Sequence, residues 1–348
     1  MEKAIIITNG LLATDNAKTA HGLVRESERF EIVAVVDFAN AGKDAGEVLD
    51  GKKRNIPVVK TIEETLHLKP AYCIVGVATA GGVFPGDLME EVKSAIKNKL
   101  SIVNGLHDHL IEREDIKRLA EENGITLTDI RIPKKRKDLH FWTGDIFKMK
   151  TPVIAVIGTD CALGKRTTTR FVMNECRKAG INAQMIYTGQ TGWLQGGKYG
   201  FIFDSTLNDF VSGELENAIL TCNKETKADV ILIEGQSALR NPTGPCGSEM
   251  LISGNAKSVI LVHAPKRKYY EHDPAWGEIH SVETEIELIK LLGSTVIAIA
   301  LNTEHCTNEE VFAFQKEYEQ RTKLPVMLPL QEGCKKIVPV IEQLIANK

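Results

Sequence analysis

The sequence has 348 residues, of which 43% are hydrophobic and 26% are charged, a composition that excludes extended disorder. Its 43 basic and 46 acidic residues give a formal net charge of −3 at pH 7, which excludes a protein that holds DNA or RNA mainly through a basic surface. Seven scattered cysteines, none in a CxxC pair, and apolar runs well short of the roughly 18 residues of a membrane span lead us to expect a cytoplasmic protein with no nucleic-acid and no membrane partner.

Apolar runs alternate with helix-length amphipathic stretches in the first part of the chain. Strands are predicted at residues 4–8, 32–37, 72–77, 101–104 and 126–129, and helices at 87–99 and 115–123. The strands are rich in Ile and Val without a polar alternation, which is typical of a parallel sheet buried on both faces. The repeated βα units predict a Rossmann-like domain over residues 1–132. Asp37 ends the second strand, where an acid often binds a ribose. Because the GxGxxG fingerprint of NAD sites does not follow the first strand, we favour a structural role for Asp37 over ribose binding.

A basic stretch, Lys134 to Lys137, separates the two halves of the chain. Such a stretch suits contact with an anionic ligand or a nucleic acid, but the surrounding chain is not basic, which favours a solvated linker over residues 133–151. Residues 152–348 then repeat the alternation of strands and helices and predict a second doubly wound α/β domain. Its predicted strands are 153–157, 183–187, 230–233, 258–263, 295–301 and 326–329, and its predicted helices are 165–179, 214–223, 282–292 and 308–317.

The loop after the predicted strand 153–157 has the clearest chemical meaning. Its sequence, Gly-Thr-Asp-Cys-Ala-Leu-Gly-Lys, leads from Gly158 to Lys165 and into a predicted helix. Glycines allow a ligand to approach the backbone, and the N–H groups of such a loop and of a helix N-terminus bind anions. Together with the charge of Lys165, the loop predicts a phosphate-bearing ligand. The candidate phosphate-binding residues are Gly158, Thr159, Asp160, Gly164, Lys165, Arg166, Thr167 and Thr168.

Two features depart from the common phosphate loop of nucleoside triphosphatases. Five residues separate Gly158 from Gly164, where the common pattern has about four, and Arg166 stands where a Mg²⁺-binding Ser or Thr is usual. These departures disfavour Mg²⁺-dependent phosphoryl transfer, and we expect no metal. If the protein is Mg²⁺-dependent, Thr167 and Glu234 are the candidate ligands.

The loop resembles the GTDxxxGK loop of dethiobiotin synthetase, including the longer spacing. Over nearly the whole chain, the sequence is similar to a two-domain bacterial family named for D-glutamate N-acetyltransferase. The segments that carry this similarity are residues 17–22, 158–165, 188–193 and 233–237. The resemblance implies a Rossmann-like domain followed by a P-loop NTPase-like domain. It also implies acetyl-CoA as the donor and the amine of an acidic amino acid as the acceptor.

Ligands of doubly wound sheets bind at the carboxyl ends of the strands, so the polar residues there are candidates. Glu234 is a candidate general base for an attacking amine; dethiobiotin synthetase has a similar Glu that holds metal, and a cap of the following turn is the structural alternative. His263 is either an acid or base, or a hydrogen-bonded structural residue. Arg240 is a candidate for binding a substrate carboxylate. Asn302 resembles the Asn that reads adenine in dethiobiotin synthetase-like proteins.

A Gly-rich segment with hydroxyl and amide groups, residues 188–193, follows another predicted strand. Its composition suits a loop that closes over a substrate, or a surface turn. Gln190 is the candidate donor to an oxyanion, and it joins Glu234 and His263 as a candidate catalytic residue. Thr191 joins Arg240 as a candidate substrate-binding residue.

Three functions are compatible with these patterns. The leading hypothesis is an N-acetyltransferase that moves acetyl from acetyl-CoA to an acidic amino acid, D-glutamate by the resemblance, with the phosphate loop around the CoA phosphates. The alternatives are an ATP- and Mg²⁺-dependent ligase or kinase of the dethiobiotin synthetase type, and a non-catalytic nucleotide-binding switch. In every case the partner is a small molecule, and we expect a homo-oligomer.

Overall fold

The computed structural model describes residues 1–347, without the side chain of Ala80. The chain folds into two compact units. The first contains Met1–Pro133 together with Gln190–Gly196, and the second contains Lys134–Gly189 and Gly197–Lys348. Within residues 1–347, no helix combines the length and the apolar character that crossing a membrane requires.

The first unit is built on a six-stranded sheet. Its strands are β1 (Glu2–Ile7), β2 (Phe30–Val36), β3 (Val58–Val59), β4 (Tyr72–Val75), β5 (Ser101–Asn104) and β6 (Leu127–Asp129). They lie in the order β3-β2-β1-β4-β5-β6, and every neighbouring pair is parallel. The helices that cover the sheet from this part of the chain are α1 (Lys18–Arg25), α2 (Ala45–Asp50), α3 (Gly86–Lys97) and α4 (Glu114–Asn123).

Asp37 follows β2 and is fully buried. One of its carboxylate oxygens accepts from the Thr8 hydroxyl at 2.7 Å and from the Leu12 N–H at 2.9 Å. The other accepts from the backbone and the side chain of Asn40, both at 3.0 Å. Because these four donors occupy both oxygens, the contacts of Asp37 are those expected of a structural residue.

The second unit is built on a seven-stranded parallel sheet. Its strands are β7 (Val153–Gly158), β8 (Ala183–Tyr187), β9 (Tyr199–Gly200), β10 (Val230–Glu234), β11 (Ser258–His263), β12 (Thr295–Leu301) and β13 (Val326–Met327). They lie in the order β13-β12-β11-β7-β10-β8-β9, which places β7 at the centre. The helices of this half of the chain are α5 (Lys165–Lys178), α6 (Gln190–Leu194), α7 (Asn208–Thr226), α8 (Ser248–Ile252), α9 (Val282–Leu291), α10 (Asn308–Thr322) and α11 (Val338–Ala346). Two parallel α/β sheets in tandem confirm the predicted fold class.

The segment after Pro133 belongs to the second unit and lies along α7. Glu214, which is 1% exposed, accepts from the Lys134 ammonium at 2.5 Å and from the His140 backbone N–H at 2.8 Å. Two residues later, the carboxylate of Glu216 accepts from the backbone N–H of Thr143 at 2.6 Å. Two buried carboxylates on one helix therefore hold the segment from Lys134 to Thr143 in place.

The helix α6 belongs to the first unit, although its sequence lies within the second half of the chain. Leu194 is completely buried in the core of the first unit. The Gln195 side-chain amide donates to the carbonyl oxygens of Gly22 at 2.8 Å and Glu26 at 3.0 Å. The guanidinium of Arg29 lies 4.0 Å from the ring centre of Trp193. Apolar burial, hydrogen bonds and a cation–π contact thus anchor this segment in the first unit.

Candidate active site

The phosphate loop joins the central strand β7 to α5. Gly164 caps the helix with a φ of +87°, a left-handed conformation that favours glycine. At Gly158, a Cβ would lie 3.2 Å from the Val262 carbonyl oxygen and 3.3 Å from the Lys165 side chain. The backbone conformation thus favours glycine at position 164 and the close approach of its neighbours favours it at position 158, and the loop leads directly to the N-terminus of α5. This is the geometry that binds phosphate in other proteins.

Lys165 is the first residue of α5 and is 6% exposed. Its ammonium donates to the Asp160 carbonyl oxygen at 2.7 Å, so the side chain folds back over the loop. Burial lowers the pKa of Lys165 to about 8, and the neighbouring Cys161 and Asp160 oppose this shift. The loop thus holds a cation that an anionic ligand would stabilise in its charged form.

Asp160 is completely buried and both of its carboxylate oxygens are occupied. One accepts from the Asn241 side-chain amide at 3.0 Å. The other accepts from the Arg267 guanidinium at 2.9 Å and from the Glu271 backbone N–H at 2.8 Å. Arg267 also forms two bonds of 2.6 Å to Glu304. Asp160 is therefore held within an ion-pair network that braces the loop.

His263 ends β11 beside the loop and is buried. Its Nδ1 lies 2.9 Å from the Thr159 hydroxyl, and its Nε2 lies 3.0 Å from the Tyr318 hydroxyl. Desolvation lowers the pKa of His263 to about 4, which keeps the ring neutral near pH 7. Both nitrogens have hydroxyl partners, an arrangement that orients Thr159. The role of His263 as an acid or base stays a prediction.

Glu234 ends β10, the strand next to β7, and is 3% exposed. Its carboxylate accepts from the Thr188 backbone N–H at 3.2 Å. Burial raises the pKa of Glu234 above its usual range, while the positive charges of Arg166 and Arg170 act in the opposite direction. Glu234 is thus a buried carboxylate on the strand next to β7, under the electrostatic influence of two arginines, and its role as a general base stays a prediction.

Arg240 follows β10 and is held by another carboxylate. It contacts one oxygen of Glu285 through Nε at 2.7 Å and through Nη2 at 2.5 Å, and it donates to the Thr284 hydroxyl at 3.0 Å. The other Glu285 oxygen is buried without a hydrogen-bond partner among the described residues. A substrate carboxylate would therefore share Arg240 with Glu285, an ion pair that the sequence did not indicate.

Asn302 follows β12 and supports the loop from the other side. Its side-chain amide donates to the Leu163 carbonyl oxygen at 3.2 Å, and its side-chain oxygen accepts from the Glu304 N–H at 2.9 Å. On α5, Thr168 is buried, while Arg166 and Thr167 are half-buried. The second unit thus brings together most of the predicted site residues; contact between Asn302 and an adenine stays a prediction.

Gln190 and Thr191 are placed differently, because both lie on α6 in the first unit. Gln190 accepts from the Arg131 guanidinium at 2.8 Å, and the Thr191 hydroxyl lies 3.0 Å from the Thr19 hydroxyl. Thr191 is buried, as is Gly192. The segment is a short helix and not the loop expected from its glycines, and its two polar side chains bind residues of its own unit. Their contacts with substrate stay predictions.

Family models match both parts of the chain. Residues 38–133 match the Rossmann-like domain DUF1611_N, and residues 140–338 match the P-loop domain DUF1611_C, both described as domains of unknown function. The chain belongs to the DUF1611 family. A crystal structure of a DUF1611 family protein from Anabaena variabilis is similar at a TM-score of 0.89, with 27% identity over 99% of this chain and 100% of that one.

Two relatives of this DUF1611 protein carry the name D-glutamate N-acetyltransferase. The protein from Tritonibacter scottomollicae is 29% identical over 287 residues, which are 81% of this chain and 84% of the relative. The protein from Pseudoalteromonas sp. is 30% identical over 289 residues, 80% and 83% of the two chains. The resemblance expected from the sequence is confirmed, as are the Rossmann-like and P-loop assignments.

The P-loop class raises the question whether this DUF1611 protein provides a Mg²⁺ site. Asp160, Cys161 and Glu271 place one potential ligand atom each within 4.8 Å of one another. The Asn241 amide, however, donates to all three, at 3.0 Å, 3.5 Å and 3.3 Å respectively. Arg267 adds a positive charge to Asp160. Both oxygens of Asp160 are thus occupied and one of the three potential ligands is a thiol, so the cluster does not fit a magnesium ion, which prefers oxygen ligands.

Proposed function

We propose that the protein is an N-acetyltransferase that moves the acetyl group of acetyl-CoA to the amine of D-glutamate. The observation that carries the proposal is the similarity, over about four-fifths of the chain, to two proteins named D-glutamate N-acetyltransferase. Both units contribute to that similarity, since the 287 and 289 matched residues are more than either unit alone contains.

The phosphate loop is the proposed binding site for CoA. CoA carries a diphosphate and a separate 3′-phosphate, so it can use a phosphate loop without any phosphoryl transfer. The loop N–H groups and the Lys165 ammonium are the donors for these phosphates. Gly158 and Gly164 support this role, because a Cβ at Gly158 would crowd Lys165 and Gly164 has a left-handed backbone.

The proposed reaction is attack of the neutral amine on the thioester carbonyl. A C–N bond forms, the C–S bond breaks, and the sulfur leaves as CoA thiol after taking up a proton. Glu234 is the proposed base that removes the proton from the amine. Its burial supports this role, since desolvation raises its pKa towards the operating pH. His263 is less suited, because both of its ring nitrogens already lie within hydrogen-bond distance of hydroxyl groups.

Arg240 is the proposed ligand of a substrate carboxylate. It is partly exposed, with 25% of its side chain accessible, and a guanidinium binds carboxylates with two parallel bonds. Glu285 fixes the direction of the side chain, which reduces the entropy lost when a substrate binds.

The direct test is release of free thiol from acetyl-CoA over a panel of D- and L-amino acids, with a parallel series that contains ATP and Mg²⁺ and measures ADP. Thiol release with D-glutamate and without ATP supports the proposal. ADP formation without thiol release contradicts it and assigns the protein to an ATP-dependent ligase or kinase. Binding of nucleotide without either product contradicts it in favour of a nucleotide-binding switch.

Lys165→Ala is the matched variant for this assay. If the loop holds CoA, the variant raises the KM for acetyl-CoA by about 10- to 100-fold, the loss of one or two charge-assisted hydrogen bonds. Thiol release that is unaffected by this change contradicts the placement of CoA at the loop.

A further inference from the structure

Arg166 occupies a position with a defined role in other phosphate loops. The residue that follows the loop lysine ordinarily carries a hydroxyl that binds the Mg²⁺ of a nucleoside triphosphate. Here that position is the second residue of α5, and its side chain is a half-buried guanidinium. A positive charge therefore stands where a metal ligand is usual.

Arg170 lies one helical turn further along α5, on the same face as Arg166. It is 4% exposed. Both guanidinium groups act electrostatically on Glu234, the carboxylate at the end of the neighbouring strand β10. In metal-dependent phosphate loops, an acidic residue at such a strand end helps to hold Mg²⁺. In this protein, two protein cations already lie close enough to Glu234 to stabilise its charge.

Asp160, the carboxylate of the loop itself, is also unavailable. Asn241, Arg267 and the Glu271 N–H occupy its two oxygens at 2.8–3.0 Å. A divalent cation in this region would need to displace these donors and would be repelled by three arginines. The geometry and charge of the loop thus oppose a metal at two independent carboxylates.

We propose that Arg166 is a specificity-determining residue, whose guanidinium takes the place of Mg²⁺ and makes the loop a site for diphosphate esters in their metal-free form. The identity of the natural diphosphate as CoA rests on the proposed function; the preference for a metal-free diphosphate does not. The guanidinium offers charge-assisted hydrogen bonds to phosphate oxygens that Mg²⁺ would otherwise bind. Cellular ATP is mostly complexed with Mg²⁺, so this preference discriminates against ATP and in favour of CoA.

The test is calorimetric titration of the full chain with CoA and with ADP, each in EDTA and in millimolar Mg²⁺, and without any amino acid. The variants are Arg166→Thr, which restores the metal-binding hydroxyl, and Arg166→Lys, which retains the charge. Arg177→Thr is the matched control: it makes the same change on the same helix, about 16 Å further along its axis. Arg177 contacts the Ala183 carbonyl oxygen and the side chain of Gln184.

For the wild type and for Arg177→Thr, we expect CoA and ADP to bind in EDTA, with affinities that Mg²⁺ leaves unchanged or lowers. In Arg166→Thr, we expect the affinity for CoA and ADP in EDTA to fall at least about tenfold, and we expect Mg²⁺ to restore a large part of it. In Arg166→Lys, the affinity in EDTA should fall less, and Mg²⁺ should not increase it. Wild-type affinity that rises fivefold or more with Mg²⁺, or an Arg166→Thr protein that binds as the wild type does, overturns the proposal, as does a wild type that binds neither diphosphate.

These titrations are separate from acetyl transfer, which the thiol assay measures. A protein that prefers metal-free diphosphate but releases no thiol retains this inference and loses the proposed function. A protein that releases thiol but binds CoA more tightly with Mg²⁺ retains the proposed function and loses this inference.

Discussion

Thr188 binds Glu234 at two places. Its backbone N–H donates to the Glu234 carboxylate at 3.2 Å, and its hydroxyl donates to the Glu234 carbonyl oxygen at 2.6 Å. The residue that follows β8 therefore fixes both the main chain and the side chain of the residue that ends β10. Because Glu234 is the proposed base, this contact determines where a proton is accepted.

Glu234→Gln removes the proton acceptor with little change of shape. We expect kcat for acetyl transfer to fall about 10²- to 10⁴-fold, the usual contribution of a general base, while the KM for acetyl-CoA changes little. The rate of the wild type should decrease as the pH falls, because the protonated carboxyl no longer accepts a proton. The measurement is kcat as a function of pH. Thr188→Val retains the N–H to the carboxylate and should lose far less; equal losses in the two variants would show that Glu234 acts through structure.

The charge of Lys165 should control how phosphate binding depends on pH. Its pKa of about 8 means that the ammonium is present below that pH and is lost as the pH rises through it. We expect the affinity for 3′,5′-ADP to decline above pH 8, by up to about tenfold per pH unit where the neutral amine dominates. Calorimetry between pH 6.5 and 9.5 measures this slope. Lys165→Gln should bind weakly with no such slope, and a slope that persists in this variant assigns the titration to another group.

Burial of neutral His263 should make stability fall under acidic conditions. The unfolded chain takes up the proton near the ordinary value of 6.5, whereas the folded protein does so only near 4. The unfolded state therefore binds more protons between these values, and stability is lost as the pH falls from 6.5 to 4, by on the order of 3 kcal/mol. Urea unfolding at several pH values measures this loss. We expect a shallower slope in His263→Gln; parallel slopes for the two proteins would contradict the assignment.

Gly213 tests how tightly the segment after Pro133 lies on α7. An Ala in the middle of a helix is ordinarily favourable by about 1 kcal/mol relative to Gly. Here, however, a Cβ would collide with the backbone of His140 and Phe141. We expect the collision to prevail and Gly213→Ala to lose about 1–2 kcal/mol of unfolding free energy. Gly244→Ala, where nothing lies within 4 Å of the added Cβ, is the control and should stay within about 0.5 kcal/mol of the wild type.

The helix α6 should unfold together with the first unit. Leu194 is completely buried in that unit's core, so Leu194→Ala should cost about 2–5 kcal/mol. Leu207→Ala is the control, since Leu207 is 52% exposed. Hydrogen exchange measures the same coupling locally, because the Gln195 N–H donates to the Thr191 carbonyl oxygen at 2.9 Å. If denaturant removes the protection of this amide together with that of the second unit, and not with that of the first, the assignment is contradicted.

The strands could be predicted well because each buried strand is visible in the sequence as a run of apolar residues. The strands at Ser101–Asn104, Ser258–His263 and Thr295–Leu301 have the predicted bounds. Helices with interrupted apolar patterns were harder to predict. The helix α7 begins at Asn208, six residues before its predicted start, because burial at Val211 and Gly213 outweighs the low helix propensity of Gly. The helix α1 was not predicted, since its sequence contains Gly22 and no side chain caps its N-terminus.

The candidate site could be predicted where it depends on neighbours in the sequence, and less well where it depends on distant ones. The phosphate loop follows from its glycines and from Lys165. In contrast, the partners of Asp160 lie 81 to 111 residues away along the chain. The same holds for Arg240 and Glu285, which are 45 residues apart. A side chain seen in the sequence as a free ligand for substrate can thus be part of an ion pair, and its partner is found only when the fold is known.

The placement of residues 190–196 has a consequence for synthesis of the protein on the ribosome. The first unit is not continuous in the sequence, because Leu194, from the second half of the chain, belongs to its core. A nascent chain that ends at Pro133 has all six strands of the first sheet but lacks this helix. It must wait until β7, α5 and β8 of the other unit have been translated before its own core is complete. Folding of the first unit therefore cannot be completed before part of the second unit has been synthesised. A truncated protein that ends at Pro133 would lack a helix that belongs to the core of the first unit.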